Sequence, residues 1–258
     1  MEVTGVLNAL FRWLHILAGV IWIGHLYFFN FVNIPFAAKM KEAGASKTVV
    51  PELMPRALFW FRWGAAWTWV TGVLLLLLVF YHGGALRSGE DQTLTAGVFI
   101  SLAISLGGFL IYDLLYQSAL GQNGQNARIV AFVLMAAALL VFVYVGDFSY
   151  RAYSIHLGTM LGTTMAFNVW FRIWPSQQKI IAAVKQGQAP DAAIVTLAGT
   201  RSRHNTYLSV PLLWTMINQH TATTAFSSLQ WWGLLVMILL GWHIVFQLYK
   251  KSAKIQGF

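Results

Sequence analysis

The sequence predicts an all-α integral membrane protein, a polytopic bundle of about seven transmembrane helices. Its composition is 58% hydrophobic and only 10% charged. Apolar runs of about 20 residues recur along nearly the whole chain, and a helix needs this length to cross roughly 30 Å of hydrocarbon. Transmembrane strands would instead give alternating segments of about 10 residues. We therefore expect a single transmembrane domain over residues 1–258.

Seven apolar segments are predicted to span the membrane, at 7–31, 57–81, 94–120, 129–145, 153–174, 205–218 and 231–249. The sixth is short, and Pro211 is expected to kink it because proline cannot donate a backbone hydrogen bond. Residues 175–203 are predicted to form a cytoplasmic connection. Within it, residues 176–186 indicate a short helix lying on the inner leaflet, ended by Gly187 and Pro190.

Basic residues are distributed unevenly between the connections. By the positive-inside rule this predicts an N-terminus outside and a C-terminus in the cytoplasm of a bacterial inner membrane. The net charge of +9 then reflects orientation and contact with anionic lipids, so no nucleic acid is expected as a partner. The cytoplasmic group is Lys39, Lys41, Lys47, Arg56, Arg128, Lys179, Lys185, Arg201, Arg203, Lys250, Lys251 and Lys254. The opposite connections hold Arg87 and Arg151 beside Glu90, Asp91 and Asp147.

The absence of cysteine restricts the possible redox groups. Iron–sulfur clusters, disulfides and covalently attached c-type haem all need cysteine. If the protein carries electrons, the carrier is then b-type haem, copper on other ligands, or a quinone. A hydrolytic triad, a phosphate-binding loop and a metalloprotease motif are also absent from the sequence.

Six of the seven histidines are predicted to lie at two depths in the membrane, at about 1.5 Å per helical residue. Imidazoles are costly in lipid and usually mark a functional site. A b-type haem needs one or two neutral imidazoles in an apolar pocket. We therefore predict one or two b-type haems, with iron ligands drawn from an outer set, His15, His156 and His220, and an inner set, His25, His204 and His243. His82 falls in an outer loop and is expected to be solvated.

The depth of each histidine bears on its role. His156, His204 and His220 lie near the interfaces, where a structural role is as consistent with the sequence as ligation. Greater depth favours ligation for His15, His25 and His243. Arginines near the span ends suit the carboxylates of haem propionates, and these are Arg12, Arg62 and Arg172.

Two further features leave alternatives open. Gly158, Gly162 and Ala166 are spaced four apart and leave a smooth stripe, where either a porphyrin or another helix can lie close. Asp113, near the inner end of the third span, is either a proton or quinone contact or a helix-end carboxylate paired with Arg128.

Several motifs are rich in aromatic and polar residues: Arg12-Trp13-Leu14-His15 with Trp22-Ile23-Gly24, Trp60-Phe61-Arg62-Trp63 with Trp67-Thr68-Trp69, and Asn168-Val169 with Ile173-Trp174-Pro175 and Gln178-Lys179. The most specific is Arg203-His204-Asn205-Thr206-Tyr207-Leu208-Ser209-Val210-Pro211-Leu212, closed by Met216 and Asn218-Gln219-His220. In order along the chain, these resemble helices of the membrane-bound bacterial urate hydroxylase family. Together they cover most of the sequence.

The resemblance implies a multi-span redox domain fused to a C-terminal cytochrome c, with urate as substrate and electrons leaving through the cytochrome. By position, it places His15, His156, His204 and His220 on motif histidines. This sequence ends at Phe258 without a C-x-x-C-H motif. The expected electron acceptor is therefore a separate c-type cytochrome, another redox subunit, or a quinone.

Three positions depart from the family pattern. Phe59 and Gly64 stand where the family is expected to have a histidine and a glutamate, and His25 stands where it has a small residue. The chain thus lacks a titratable pair and has an additional potential haem ligand. This favours the hypothesis that it is a relative of the family specialised for electron transfer.

Three functions follow from these observations. The leading hypothesis is a b-type cytochrome-like membrane subunit that relays electrons between quinone or a redox partner and a separate haem or copper protein. The second is a urate hydroxylase whose cytochrome c is a separate chain. The third is a copper-handling membrane protein. Scattered methionines and the lack of cysteine count against the third, because copper transport uses thioether and thiolate ligands.

Overall fold

The computed structural model describes residues 3–218 and 227–255, and all secondary structure in those ranges is helical. The all-α fold class is therefore confirmed. The α-helices are α1 Val3–Tyr27, α2 Ile34–Glu42, α3 Ser46–Leu76, α4 Ala96–Gln117, α5 Ala119–Gln122, α6 Gly124–Tyr144, α7 Tyr150–Asn168, α8 Trp174–Lys185, α9 Ala192–Ile217 and α10 Gln230–Ser252. Turns of π-helix follow α1, α3 and α7, at Phe28–Asn33, Leu77–His82 and Val169–Ile173.

Five helical segments of the described residues are long and apolar enough to cross a membrane: Val3–Glu42, Ser46–His82, Ala96–Gln117, Gly124–Tyr144 and Gln230–Ser252. Helices α7 and α9 do not meet this test. Both carry polar side chains that are fully buried, among them Ser154, Thr163 and Asn168 on α7 and Asn205 and Thr206 on α9. A helix whose polar groups are satisfied inside the protein does not need an apolar sequence.

The boundaries of α9 correct the expectation for the long connection. The sixth segment was expected to begin at Asn205, but the helix begins at Ala192 and continues through Pro211 to Ile217. Arg201, expected in a cytoplasmic loop, is only 2% exposed. The short helix expected at 176–186 is present as α8, and Gly187 after it has the positive φ of +75° that favours glycine.

The chain divides into two compact units. Unit 1 comprises Met1–Phe11, Gly72–Thr164 and Val210–Leu240. Its helices approach one another closely at glycines. A Cβ atom at Gly97 would overlap the carbonyl of Val145, and one at Gly158 would overlap the hydroxyl of Thr215. In the loop before α4, the Gln92 side chain accepts hydrogen bonds from the backbone amides of Leu86 and Arg87, which orders that loop.

Unit 2 comprises Arg12–Thr71, Met165–Ser209 and Gly241–Phe258. Here α1 packs on α3 at Gly64, where a Cβ atom would lie 3.0 Å from the backbone nitrogen of Trp22. Beside this contact, Trp22 is 1% exposed. Phe29 packs edge-on against Phe61 with ring centroids 5.3 Å apart. The backbone contact and the aromatic packing hold the histidine-bearing helix α1 against α3.

Candidate functional site

His15 is held in one orientation by α3. Its Nδ1 lies 3.1 Å from Thr71 Oγ1, and the Thr71 hydroxyl donates its own hydrogen to Trp67 O at 2.6 Å. The hydroxyl oxygen must therefore accept from His15, so Nδ1 carries the hydrogen. The Thr68 carbonyl also lies 3.3 Å from this hydroxyl oxygen. The other ring nitrogen, Nε2, keeps its lone pair.

His25 is fixed in the same tautomer by its own helix. Its Nδ1 lies 2.7 Å from Ile21 O, and a carbonyl can only accept, so Nδ1 carries the hydrogen. The half-buried ring borders a surface recess of about 220 Å³ that Val20, Gly24 and Phe28 also line. Ligating histidines commonly donate their second ring nitrogen to an oxygen acceptor. His15 and His25 both show this arrangement.

The other two histidines of unit 2 have different surroundings. His243 is exposed, and its Nε2 accepts from the Gln247 amide one turn later at 3.1 Å. His204 is half-buried on α9 and directly follows Arg203 in sequence. His15 shares unit 2 with His25, His204 and His243. This grouping differs from the outer and inner sets expected from the sequence.

His156, in unit 1, is fully buried and uses both ring nitrogens. Nδ1 lies 2.7 Å from Ala152 O, and Nε2 lies 2.9 Å from the hydroxyl of Tyr81. Neither nitrogen is open to a metal in this arrangement. His82 is exposed, as expected for a loop histidine. His220 lies outside the described residues.

Arg62 sits among aromatic rings of unit 2. Its Cζ lies 4.0 Å from the ring centroid of Trp174, and the rings of Phe59 and Trp170 lie at about 6 Å. The Nε atom is buried and has no hydrogen-bond partner among the described residues. A guanidinium held in this way keeps a donor available for an anionic group. Arg12 is half-buried on α1, and Arg172 is half-buried beyond α7.

The glycine stripe of α7 packs against a helix. In unit 1, Gly158 lies against Thr215 and Gly162 lies against Leu212, both on α9. Of the two alternatives, the structure supports helix packing at these positions. Ala166 is buried as well. The Asp113 carboxylate accepts a hydrogen bond from Gln117 at 2.6 Å.

Sequence reasoning missed a polar network in unit 2. The amide of Asn30 donates to Leu26 O and to Ser202 Oγ, both at 2.9 Å, and its oxygen accepts from the Tyr249 hydroxyl at 2.8 Å. Nearby in sequence, Tyr27 pairs with Ser209 at 3.0 Å. An Asn inside an otherwise apolar first span was the signal that pointed to this network.

A second buried pair joins α7 to α9 in unit 2. Asn168 Nδ2 donates to Asn205 Oδ1 at 2.9 Å, and Asn205 Nδ2 donates to Met165 O at 2.9 Å. Asn205 belongs to the most specific sequence motif, and the structure places it in the core with 0% exposure. Within residues 3–218 and 227–255, no three His, Asp or Glu side chains are grouped so that they could hold a metal ion.

Comparison with known families identifies the relationship. The family model described as urate oxidase N-terminal matches residues 45–257. The chain belongs to this family. The resemblance to the membrane-bound urate hydroxylases is thereby confirmed. No match was found among the curated proteins or among the solved structures.

Some of the candidate histidines lie inside the range matched by the urate oxidase N-terminal model, and others lie before it. His156, His204 and His243 lie inside the matched range, whereas His15 and His25 precede it. Within the range, position 64 has no space for the glutamate expected there in the family. Any side chain at Gly64 would press on the α1 backbone. Gly64 therefore allows a close contact between α1 and α3.

Proposed function

We propose that the chain is the membrane-embedded oxidoreductase domain of a urate-oxidising system that passes electrons to a c-type cytochrome, another redox group or a quinone. The observation that carries this proposal is the urate oxidase N-terminal match over residues 45–257. Hydroxylation of the urate ring by water releases two electrons and two protons. An enzyme for this reaction needs neutral bases near the substrate and a route for electrons.

The histidines of α1 are the best placed to act as bases or ligands. His15 and His25 each donate Nδ1–H to a fixed oxygen and keep an Nε2 lone pair. The same lone pair can accept a proton or bind haem iron. His15 and His25, about 15 Å apart along α1, would each ligate a different b-type haem, and Arg62 would pair with a propionate. When bound, each haem would supply a reversible one-electron carrier.

Because these histidines can also bind haem iron, the alternative function is a b-type cytochrome-like electron relay. It is favoured by the oriented imidazoles of α1, which suit ligation whether or not urate is the substrate. In this reading the chain passes electrons between a quinone and a c-type cytochrome or another redox subunit. We regard catalysis and relay as alternatives that a single set of measurements separates.

We further propose that seven segments span a bacterial inner membrane, with the N-terminus outside and the C-terminus in the cytoplasm. The five apolar segments are joined in this topology by α7 and α9. Several polar side chains of these two helices, such as Ser154, Thr163 and Asn205, are fully buried in the described structure, which supports their placement inside the bundle. The distribution of Lys and Arg supports the orientation.

The test uses the full chain purified in detergent, with cytochrome c supplied as acceptor. We expect the wild-type protein to consume urate and to reduce cytochrome c at the same time. The rate of this reaction should fall about 100-fold in His15→Ala. His82→Ala is the matched control and should retain wild-type turnover. Reduction of bound haem by a quinol analogue without urate turnover would replace the enzymatic reading with the relay. Absence of both activities would overturn the proposal.

A further inference from the structure

Tyr81 and His156 form a buried hydrogen-bonded pair in unit 1. His156 Nδ1 lies 2.7 Å from Ala152 O, and this carbonyl can only accept, so Nδ1 carries the hydrogen of the neutral ring. The lone pair is then on Nε2, which lies 2.9 Å from the Tyr81 hydroxyl. The phenol must donate to the imidazole. The direction of this hydrogen bond is therefore fixed by the backbone of α7.

Aromatic rings enclose the imidazole of His156. The ring of Phe148 is closest, with centroids 4.4 Å apart, and those of Phe142 and Phe80 lie at 5.9 and 6.4 Å. His156 and Phe142 are both 0% exposed. Water is therefore kept from the imidazole. The faces of such rings favour a nearby cation, which offsets part of the cost of charging a buried imidazole.

His156, Tyr81 and the surrounding aromatic rings take no part in the reaction proposed for the histidines of α1. The Tyr81 hydroxyl satisfies the buried Nε2 of His156 and comes from a separate helical segment, so the two residues form a direct donor–acceptor pair between helices. Tyr81 lies at the end of the segment Ser46–His82, next to exposed His82, and is itself half-buried. One side of the phenol is therefore close to the protein surface, while its hydroxyl points to His156.

We propose that Tyr81 and His156 form an amino-acid redox site, in which Tyr81 is reversibly oxidised by one electron. The electron passes to a one-electron oxidant strong enough to oxidise a phenol, such as a high-valent metal–oxo centre. At the same time the phenolic O–H bond breaks and its proton moves to His156 Nε2. The products are a neutral tyrosyl radical, an imidazolium and the reduced oxidant, so charge and atoms balance.

The hydrogen-bond geometry makes this step reversible. The donor–acceptor distance of 2.9 Å is within the range for direct proton transfer. The Ala152 carbonyl cannot take the second imidazole proton, so the transferred proton stays on His156. It returns to Tyr81 on reduction. The site does not depend on urate being the substrate, because the donor, the base and the proton path are all contained in unit 1.

The experiment generates a strong one-electron oxidant, photo-oxidised ruthenium tris-bipyridine, beside the purified full chain without urate. Electron paramagnetic resonance then detects tyrosyl radicals, and deuterated tyrosine confirms their identity. We expect a radical in the wild-type protein that is absent in Tyr81→Phe. Tyr153→Phe is the matched control, because Tyr153 is a buried tyrosine of the same unit whose ring packs on Tyr150. It should leave this radical unchanged.

The base is tested separately. His156→Gln retains a hydrogen-bond acceptor but cannot hold the proton, so the radical should form about 100-fold more slowly. In wild-type protein, formation should also slow in D₂O, a measurement that needs no variant. An undiminished radical in Tyr81→Phe would overturn the proposal. So would a wild-type rate in His156→Gln, or the absence of any D₂O effect on the wild-type protein.

Discussion

His15 donates its Nδ1 hydrogen to Thr71 across 3.1 Å, although the two residues are 56 positions apart in the chain. The contact links α1 to α3 inside unit 2. It determines which imidazole nitrogen holds a lone pair, and therefore which nitrogen can bind iron or accept a proton. Thr71 is thus a positioning residue for His15.

The first prediction concerns haem retention. Thr71→Val keeps the shape of the side chain but removes the acceptor that orients His15. We expect haem affinity to fall by about 10- to 100-fold, as for other partners that orient ligating histidines. His15→Ala should abolish the absorbance of the haem that His15 ligates. A reduced-minus-oxidised spectrum and a pyridine haemochrome assay measure both effects. His82→Ala should keep full haem content, and full content in His15→Ala would contradict the assignment.

The second prediction separates seven spans from five. If α7 and α9 cross the membrane, the connection between α8 and α9 lies in the cytoplasm. With only the five apolar segments crossing, it lies outside. A phosphatase reporter inserted after Gln188 should therefore be inactive, because the enzyme matures only outside the cytoplasm. The same reporter inserted after Ser88 should be active in both topologies and serves as the control. Activity at Gln188 would exclude the seven-span arrangement.

The third prediction concerns packing on α7. Gly158→Ala would push a methyl group into the Thr215 hydroxyl, and overpacking of this kind costs about 1–3 kcal/mol. Thermal unfolding in detergent should show a lower midpoint. Gly107→Ala is the matched control, because no atom lies within 4 Å of its added Cβ. Adding Thr215→Ala to Gly158→Ala should recover part of the loss. An unchanged midpoint in Gly158→Ala would mean that the α7–α9 contact is looser than described.

The fourth prediction concerns the buried amide pair of unit 2. Asn205→Leu removes the hydrogen bonds to Asn168 and to Met165 O, and leaves buried polar groups unsatisfied. Each such group costs about 1–3 kcal/mol. We expect a lower free energy of unfolding, measured by denaturant titration in micelles. Asn126→Ala, at an exposed asparagine, should change stability by less than about 0.5 kcal/mol.

The sequence predicts the helical architecture, but not the partners of the histidines. Apolar periodicity is a local property, so it locates α1, α4, α6 and α10 well. The tautomers of His15 and His156 depend on Thr71 and on Ala152 and Tyr81, and two of these partners are distant in the chain. Spacing of Gly158 and Gly162 indicates a close contact, but not that α9 provides it.

The start of α9 was mispredicted for a physical reason. Its first half includes Arg201 and Arg203, and charged residues in a sequence favour a solvated connection. The structure buries Arg201, so tertiary surroundings override local composition there. Hydropathy likewise misses α7 because its polar side chains, such as His156 and Asn168, are satisfied by neighbours rather than by water.

The burial of α7 has a consequence for biogenesis. A segment with this many hydroxyl, amide and imidazole groups gains little from leaving water for lipid on its own. It becomes stable in a bilayer only when carbonyl and side-chain partners from other helices meet it there. If α7 spans the membrane as proposed, its insertion and its tertiary assembly are therefore one coupled event. The four apolar segments synthesised before it must reach the membrane first, and a chain truncated after α7 should be an early substrate for quality-control proteases.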